Sequence, residues 1–269
     1  MKKEGDVHKK MYAGFNLTIN NDNIFDTYES DKGELYSKCG RKLYEDLKKY
    51  SLENLKQIIN KDLIDGDTLQ NMWFPNEFSA YDNFIFVSHS HNDKNTAIKL
   101  AGYLKAKFNI CSFIDSCVWG HIDELNKILN DCSKTSLGNC YGCNCDDFSY
   151  NLSYVHMMLT SALMTMIDKC ECMFFLNTPS SININKKTES PWLYYELNVA
   201  GLIQKKRDII EPVLEHGLAF KRNIEFTPNL KELIKITVHD LKNWEKQCSA
   251  PNNKDPFTVL YHMCMNHEI

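Results

Sequence analysis

Apolar residues fall along this chain in two kinds of pattern. Short continuous runs stand at Asn83-Phe84-Ile85-Phe86-Val87, at Cys111-Ser112-Phe113-Ile114-Asp115 and at Cys172-Met173-Phe174-Phe175-Leu176. Runs of that length without polar alternation predict strands buried on both faces, as in a parallel sheet. Between them the spacing changes to threes and fours. Ala97, Leu100, Ala101, Leu104 and Phe108 predict one helix face, and Leu152, Val155, Met158, Leu159, Ala162, Met166 and Ile167 predict another. A strand, a helix and a second strand over residues 83–115 make a β-α-β unit, whose strands run parallel with a right-handed crossover.

The flanking sequence is less regular. Residues 1–35 read as polar and irregular, with turn signals at Asn20-Asn21-Asp22-Asn23 and Asp31-Lys32-Gly33. Residues 35–62 read as helical, with Leu43, Leu47, Leu52, Leu55, Ile58 and Ile59 at helical spacing and Ser51 able to cap a second helix. Met72-Trp73-Phe74-Pro75 is an apolar segment expected to anchor this region to the main domain. Residues 1–80 are therefore expected to form a small helical accessory region, with the main domain over 81–248. After the second strand, a short helix is expected over 122–129 and a Cys-, Gly- and Asn-rich insertion over 131–151. Ile209-Ile210 and Val213-Leu214 predict a fourth strand that Pro212 pushes toward an edge. Thr227-Pro228 predicts the start of a short helix, Ile236-Thr237-Val238 a last strand, and Asp240 the cap of a helix carrying Leu241 and Trp244. Residues 249–269 read as a tail docked through the apolar segment 257–263.

One helix start stands out, at Ser190-Pro191-Trp192-Leu193-Tyr194-Tyr195-Glu196-Leu197. Ser190 can cap the first turn, and Pro191 suits the first helical position, where an N–H is not needed. Val199, Ala200, Leu202 and Ile203 continue the helix with almost no polar face. Trp192 and Glu196 lie one turn apart on the same side. A carboxylate on a buried helix must be paired, protonated or set in a pocket, because burying it unpaired is costly. The plain alternative is a glutamate at the rim of the core, bonded to a neighbouring loop.

Composition narrows the function. The chain has 269 residues, 43% of them hydrophobic, and a net charge of -4. That is enough apolar material for a sizeable core, and the absence of a basic block argues against a nucleic-acid partner. No run of about 18 apolar residues suggests a membrane span. The N-terminal residues lack the apolar stretch of a signal peptide, and the 11 cysteines are scattered rather than framed. Reduced thiols in the cytoplasm are the expectation.

The candidate chemistry sits at strand ends. An open parallel sheet binds ligands beyond the carboxyl ends of its strands. Three expected ends carry polar residues: Ser88-His89-Ser90, Asp115-Ser116 and Asn177-Thr178. The helix with Trp192 and Glu196 follows the third. Polar residues commonly end strands, so convergence on one cleft is an expectation for the structure to decide. There is no glycine-rich phosphate loop and no G-x-S-x-G elbow, which disfavours a dinucleotide fingerprint, a P-loop and a serine hydrolase. Cys140-x-x-Cys143-x-Cys145, with Cys132 and His156 near in sequence, lacks a second spaced pair and reads as loop thiols rather than a zinc site. His89 and His91 alternate across a strand end, so one is expected to face the cleft and the other solvent, and no metal is expected.

Together, Phe84-Ile85-Phe86-Val87-Ser88-His89-Ser90, then Asp93, then Phe113-Ile114-Asp115-Ser116, then Ser190-Pro191-Trp192-Leu193-Tyr194-Tyr195-Glu196-Leu197 resemble the Toll/interleukin-1 receptor (TIR) domain, in particular the bacterial TIR proteins of anti-phage defence of the Thoeris type. The resemblance covers about residues 81–245. It implies a flavodoxin-like parallel sheet with helices on both faces. It also implies an enzyme that cleaves the nicotinamide–ribose bond of NAD, its substrate rather than a cofactor, to give nicotinamide and ADP-ribose, a cyclic isomer or a conjugate read by a downstream effector. The catalytic glutamate of the W-x-x-x-E motif falls on Glu196. The loop Ser88–Asp93 corresponds to the nicotinamide end of the substrate site, so Ser88, His89 and Ser90 are candidate substrate contacts. Asp115, Ser116 and Trp119, in or next to the loop that borders the substrate and mediates self-association, are candidates too, as is Trp192. The insertion 131–151 and the first 80 residues depart from compact TIR domains. Two rivals stand beside this reading: a non-catalytic TIR adaptor working by self-association, and an enzyme like the nucleoside 2-deoxyribosyltransferases, which share the fold type and a catalytic glutamate.

Overall fold

A computed structural model describes residues 12–19, 30–59, 84–116, 145–208, 225–249 and 255–265. In chain order the elements are β1 (Ala13–Thr18), α1 (Ser30–Ile59), β2 (Phe84–Ser88), α2 (Lys94–Phe108), β3 (Cys111–Ile114), α3 (Cys145–Lys169), β4 (Cys172–Asn177), α4 (Pro191–Asp208), β5 (Ile234–Thr237), α5 (Val238–Cys248) and α6 (Pro256–Met265). The five strands form one sheet in the order β3-β2-β4-β1-β5. Every pairing is parallel, with Ile85 opposite Cys172, Phe84 opposite Cys111, Ala13 opposite Cys172 and Phe15 opposite Ile234. This is an α/β fold with a parallel sheet flanked by helices, consistent with the flavodoxin-like class.

Both faces of the sheet are covered. Side chains alternate along a strand, so Gly14 and Phe15 point to opposite sides. On the Phe15 side, Phe15 meets Phe174 edge-on at 5.3 Å, and Tyr261 of α6 approaches it at 6.0 Å. Trp244 of α5 is fully buried there, stacked on Phe108 of α2 at 3.9 Å. Its indole N–H donates to the Pro256 carbonyl at 2.8 Å, which ties α5 to the start of α6. On the Gly14 side lies α4, whose Gln204 side-chain Oε1 accepts the Gly14 N–H at 3.2 Å. The Tyr195 hydroxyl of α4 donates to the Thr160 carbonyl of α3 at 3.0 Å, so α3 and α4 pair on that face.

Strands β2, β3 and β4 lie where the apolar runs place them, and the five residues expected on one face of α2 are all buried. Other expectations are corrected. Residues 13–18, read as irregular, form β1, which sits between β4 and β5 inside the sheet. Residues 1–80 therefore contribute a strand to the main sheet and do not stand apart from it. Residues 30–59 form one continuous helix, not two. Thr227-Pro228 does not start a helix; residues 227–230 are irregular up to a turn before β5, and Phe226 makes an antiparallel bridge to Thr188. The cap of α5 is Thr237, not Asp240. The Thr237 side chain accepts from the Asp240 N–H, and Asp240 accepts from the Thr237 N–H at 2.7 Å, a reciprocal capping box. Residues 145–151 of the expected insertion are the first turns of α3. The expected anchor at 72–75, the short helix at 122–129 and the strand at 209–214 lie outside the described residues.

Two glycines fix how α1 crosses α2. A Cβ on Gly102 would stand 1.9 Å from the Tyr36 carbonyl oxygen, and one on Gly40 would stand 1.9 Å from the Ile98 carbonyl oxygen. The helices touch backbone to backbone there, with Tyr36 and Tyr103 packed edge-on at 5.4 Å beside the contact. Gly201 of α4 is different, since its nearest neighbours would be the Glu232 side-chain carbons at 3.8 Å and 3.9 Å. Gly102→Ala is therefore expected to lower unfolding stability by about 1–3 kcal/mol, the usual cost of forcing a methyl into a packed contact. Gly201→Ala should leave stability unchanged or raise it by about 0.5–1 kcal/mol through helix propensity. Urea unfolding midpoints of the two variants check this, and equal shifts would contradict the backbone contact.

Candidate active site

The order of the strands makes a crevice. The chain passes from β2 outward to β3, then returns to the other side of β2 to lay down β4. That reversal separates the loops leaving β2 and β4, and a ligand cleft opens at such a point. The α4 helix descends over the same end. Its start is built as its sequence predicts: Pro191 occupies the first helical position, and Ser190 Oγ accepts the Leu193 N–H at 3.2 Å. One turn further, α4 delivers Glu196 to the last residue of β2.

Glu196 and Ser88 are both fully buried. Ser88 Oγ donates to Glu196 Oε2 at 2.5 Å, and Glu196 Oε1 is a buried oxygen with no hydrogen-bond partner. Burial pushes the Glu196 carboxyl well above its ordinary range, the nearby Asp115 carboxylate adds to the rise, and the Ser88 hydroxyl opposes it. The neutral carboxyl is thus the form favoured in this closed arrangement. A rim position is ruled out: the side chain is in the interior, held by a strand end rather than by a surface loop.

Asp115, the residue after β3, is also buried. His89 Nδ1 lies 3.0 Å from Asp115 Oδ1 and 3.3 Å from the Val87 carbonyl oxygen, and Nε2 lies 3.0 Å from Ser116 Oγ. Burial lowers the His89 pKa, but the Asp115 carboxylate, the Val87 carbonyl and Asp93 together outweigh it and the net direction is upward. The Ser116 N–H closes onto Asp115 Oδ1 at 2.7 Å. Ser88, His89, Asp115 and Glu196 therefore lie buried together, with half-buried Ser116 at the edge of the group.

A second group ties the β2 loop to the β4 loop. Asp93 Oδ2 accepts from Ser90 Oγ at 2.7 Å and from Thr178 Oγ1 at 2.6 Å. Ser181 Oγ accepts the Thr178 N–H at 2.9 Å. Ser90 thus belongs to this tie rather than to the Glu196 group. Thr178 belongs to the polar strand end Asn177-Thr178 named from the sequence, whereas Ser181, three residues on, was not singled out and has no signal beyond that strand end. Beside this group opens a cleft of about 460 Å³, lined among others by Ser90, His91, Ser180, Lys187 and Ser190. His89 is buried and His91 is exposed at the cleft, so the two histidines do part as the alternation predicts. Trp192 is half-buried on the α3 side, where its indole meets His156 edge-on at 5.8 Å. Trp119, Cys132, Cys140 and Cys143 lie outside the described residues, and among the described residues no group of three or more metal-ligating side chains comes together.

This geometry has a stability signature. A carboxyl held neutral in the fold ionises near 4.5 once released, so the native state loses stability as pH climbs above that value and toward the raised native pKa. Glu196→Gln removes that loss. The variant is expected to unfold at higher urea than the wild type at about pH 7 and to converge on it toward about pH 4. Urea midpoints across that range check the sign; a gap independent of pH would place Glu196 in a different environment. No family model, curated protein or solved structure matches the chain.

Proposed function

We propose that the protein cleaves the nicotinamide–ribose bond of NAD, with Glu196 as the catalytic carboxylate. The observation that carries the reading is a fully buried glutamate with one unpartnered oxygen, placed at the switch point of a parallel sheet. Such a group costs stability and is retained where chemistry uses it. Departure of nicotinamide takes the bonding pair with it and leaves positive charge on the ribose. A fixed carboxylate in a dry site stabilises that charge strongly. The nicotinamide of NAD is cationic before it leaves, so no general acid is needed. Water or an atom of the same molecule then closes on the ribose carbon, giving ADP-ribose or a cyclic isomer. Ser88 holds Glu196 Oε2 and leaves Oε1 for the ribose.

The order of motifs around Ser88, Asp115, Trp192 and Glu196 resembles the TIR domain, and on that basis the product serves as a diffusible signal in cytoplasmic anti-phage defence, with assembly through TIR surfaces and a separate effector. Among the described residues no helix is long and apolar enough to cross a membrane. A second reading draws on the same cluster. The His89–Asp115 pair beside Glu196 offers a proton to a neutral nucleobase, which a nucleoside 2-deoxyribosyltransferase-like reaction would need. An adaptor acting only by self-association would have no use for the unpartnered Glu196 oxygen.

Incubation of the full chain with NAD, at concentrations high enough for assembly and with or without lysate of phage-infected cells, followed by mass spectrometry, decides among these. Nicotinamide together with a species at or near the mass of ADP-ribose is expected. Glu196→Gln should lower that turnover by about 10²-fold or more while keeping the fold. Base exchange between deoxynucleosides with NAD untouched would instead favour the transferase, and intact substrates throughout would favour the adaptor.

A further inference from the structure

Two buried carboxyl groups, Glu196 and Asp115, meet at the switch point, and one buried imidazole, His89, stands against them. Nδ1 faces two acceptors, Asp115 Oδ1 and the Val87 carbonyl, and so carries a proton; Nε2 stands against Ser116 Oγ, a hydroxyl that accepts from Nε2–H or donates to a bare Nε2. The ring can therefore hold its second proton without losing a contact, and the Asp115 carboxylate beside it favours that charged form. The clamp is itself held: the Ser116 carbonyl accepts from the Tyr44 hydroxyl of α1 at 3.1 Å, and the Ser116 N–H donates to Asp115. The groups facing this cluster come from each element around it. From β2 come Ser88 and the Val87 carbonyl, from the end of β3 Asp115 and Ser116, and from α4 Glu196. Asp93 acts on His89 from the turn after β2, and its Oδ2 is already shared by Ser90 and Thr178.

The charge balance is uneven. Two carboxylates brought together away from water do not both ionise readily; one retains its proton unless a cation stands beside them. Glu196 has one hydroxyl donor, whereas Asp115 has His89 and a backbone N–H. Without a cation the proton therefore settles on Glu196, the group whose negative charge the ribosyl transition state requires.

We propose that His89 is a positioning residue: its imidazolium, clamped between Asp115 and Ser116, offsets the Asp115 charge and thereby lowers the pH at which Glu196, neutral in the closed unliganded fold, gives up its proton and acts as a carboxylate. The inference rests on the reading of Glu196 as the reacting group. It makes the pair Asp115–His89 a setting for the site, with neither residue touching the bond that breaks. It also gives the reaction two pH limits. On the acid side Glu196 must lose its proton, and on the alkaline side His89 must keep its own.

The consequences of substitution have opposite signs. His89→Gln leaves Asp115 unbalanced and moves the acid limb of nicotinamide release to higher pH, by about one unit or more. Asp115→Asn removes the repelling charge and moves the same limb to lower pH. The double variant behaves as Asp115→Asn does, since no charge remains for His89 to offset. Ser116→Ala takes away the Nε2 acceptor and moves the alkaline limb to lower pH. A purely structural role would lower turnover at every pH without displacing either limb.

The test uses the full chain and two readouts. The first is the pH profile of nicotinamide release from NAD. The second, independent of turnover, is the infrared carbonyl band of the protonated Glu196 carboxyl, identified by its loss in Glu196→Gln and titrated in the unliganded protein. Opposite displacements of the acid limb and of the band midpoint in His89→Gln and Asp115→Asn support the proposal. Displacements in the same direction, or none, overturn it. Should His89→Gln fail to fold, Ser116→Ala carries the measurement, and an alkaline limb that stays in place overturns the proposal. If the wild type leaves NAD intact at every pH, the proposed function fails, while the infrared titration still decides whether His89 and Asp115 set the charge on Glu196.

Discussion

Every strand in this sheet runs parallel to its neighbours, and the rest of the molecule depends on that constraint. Parallel neighbours cannot be joined by hairpins, so each connection crosses a face of the sheet and leaves a covering layer behind. The strands accordingly read as continuous apolar runs, because both sides are buried. The same constraint collects the carboxyl ends of β2, β3 and β4 along one edge. Where the order reverses between β2 and β4 the covering layers part, and in that gap polar side chains can gather without breaking a core. The buried polar group is thus a product of topology, filled by whichever residues end the strands.

Topology also accounts for what could and could not be read from the chain. Strands β2, β3 and β4 announce themselves through uninterrupted apolar residues, and α4 through a capping serine and a proline. Strand β1 does not. Ala13-Gly14-Phe15-Asn16-Leu17-Thr18 offers two large apolar side chains, and its place between β4 and β5 depends on partners more than 150 positions away in the sequence. Gly14 serves packing there, since a Cβ would stand 2.3 Å from Leu233 Cδ2. Helix α1 misleads through Ser51, which looks like the cap of a second helix, but the helix runs on through it. Local signals mark helix ends only where no tertiary contact overrides them.

The site divides along a similar line. Glu196 and Ser88 were legible, one as a carboxylate on an apolar helix and the other as a polar strand end. Their bond joins positions 108 apart, and nothing in either stretch declares the partner. The His89–Asp115 pair is harder still: each residue looks like ordinary strand-end polarity, and only the register of β2 against β3 brings the ring onto the carboxylate. Asp93 and Thr178 meet across β2 and β4, 85 positions apart. Sequence can nominate such residues one at a time, but the charge they place on one another is a property of the sheet.

Hydrogen-bond inventory separates the two polar groups by purpose. Around Asp93 the valences close: its Oδ2 takes two hydroxyls, and Thr178 Oγ1 in turn accepts the N–H groups of Ser180 and Ser181, each at 3.2 Å. A saturated network of this kind fixes loops, and here it pins the β2 loop to the β4 loop along the cleft. Around Glu196 the valences do not close. One oxygen has its serine; the other has no partner and no solvent. A folded chain readily supplies a hydroxyl or a backbone N–H to a buried carboxyl, and the neighbouring cluster shows that these strand ends have several. The polar group beside that oxygen is the Asp115 carboxylate, another acceptor, so within the protein the contact closes only through a proton that the two carboxyls share. A ligand with a hydroxyl to donate would compete for that place, and the loops that Asp93 holds line a cleft next to them.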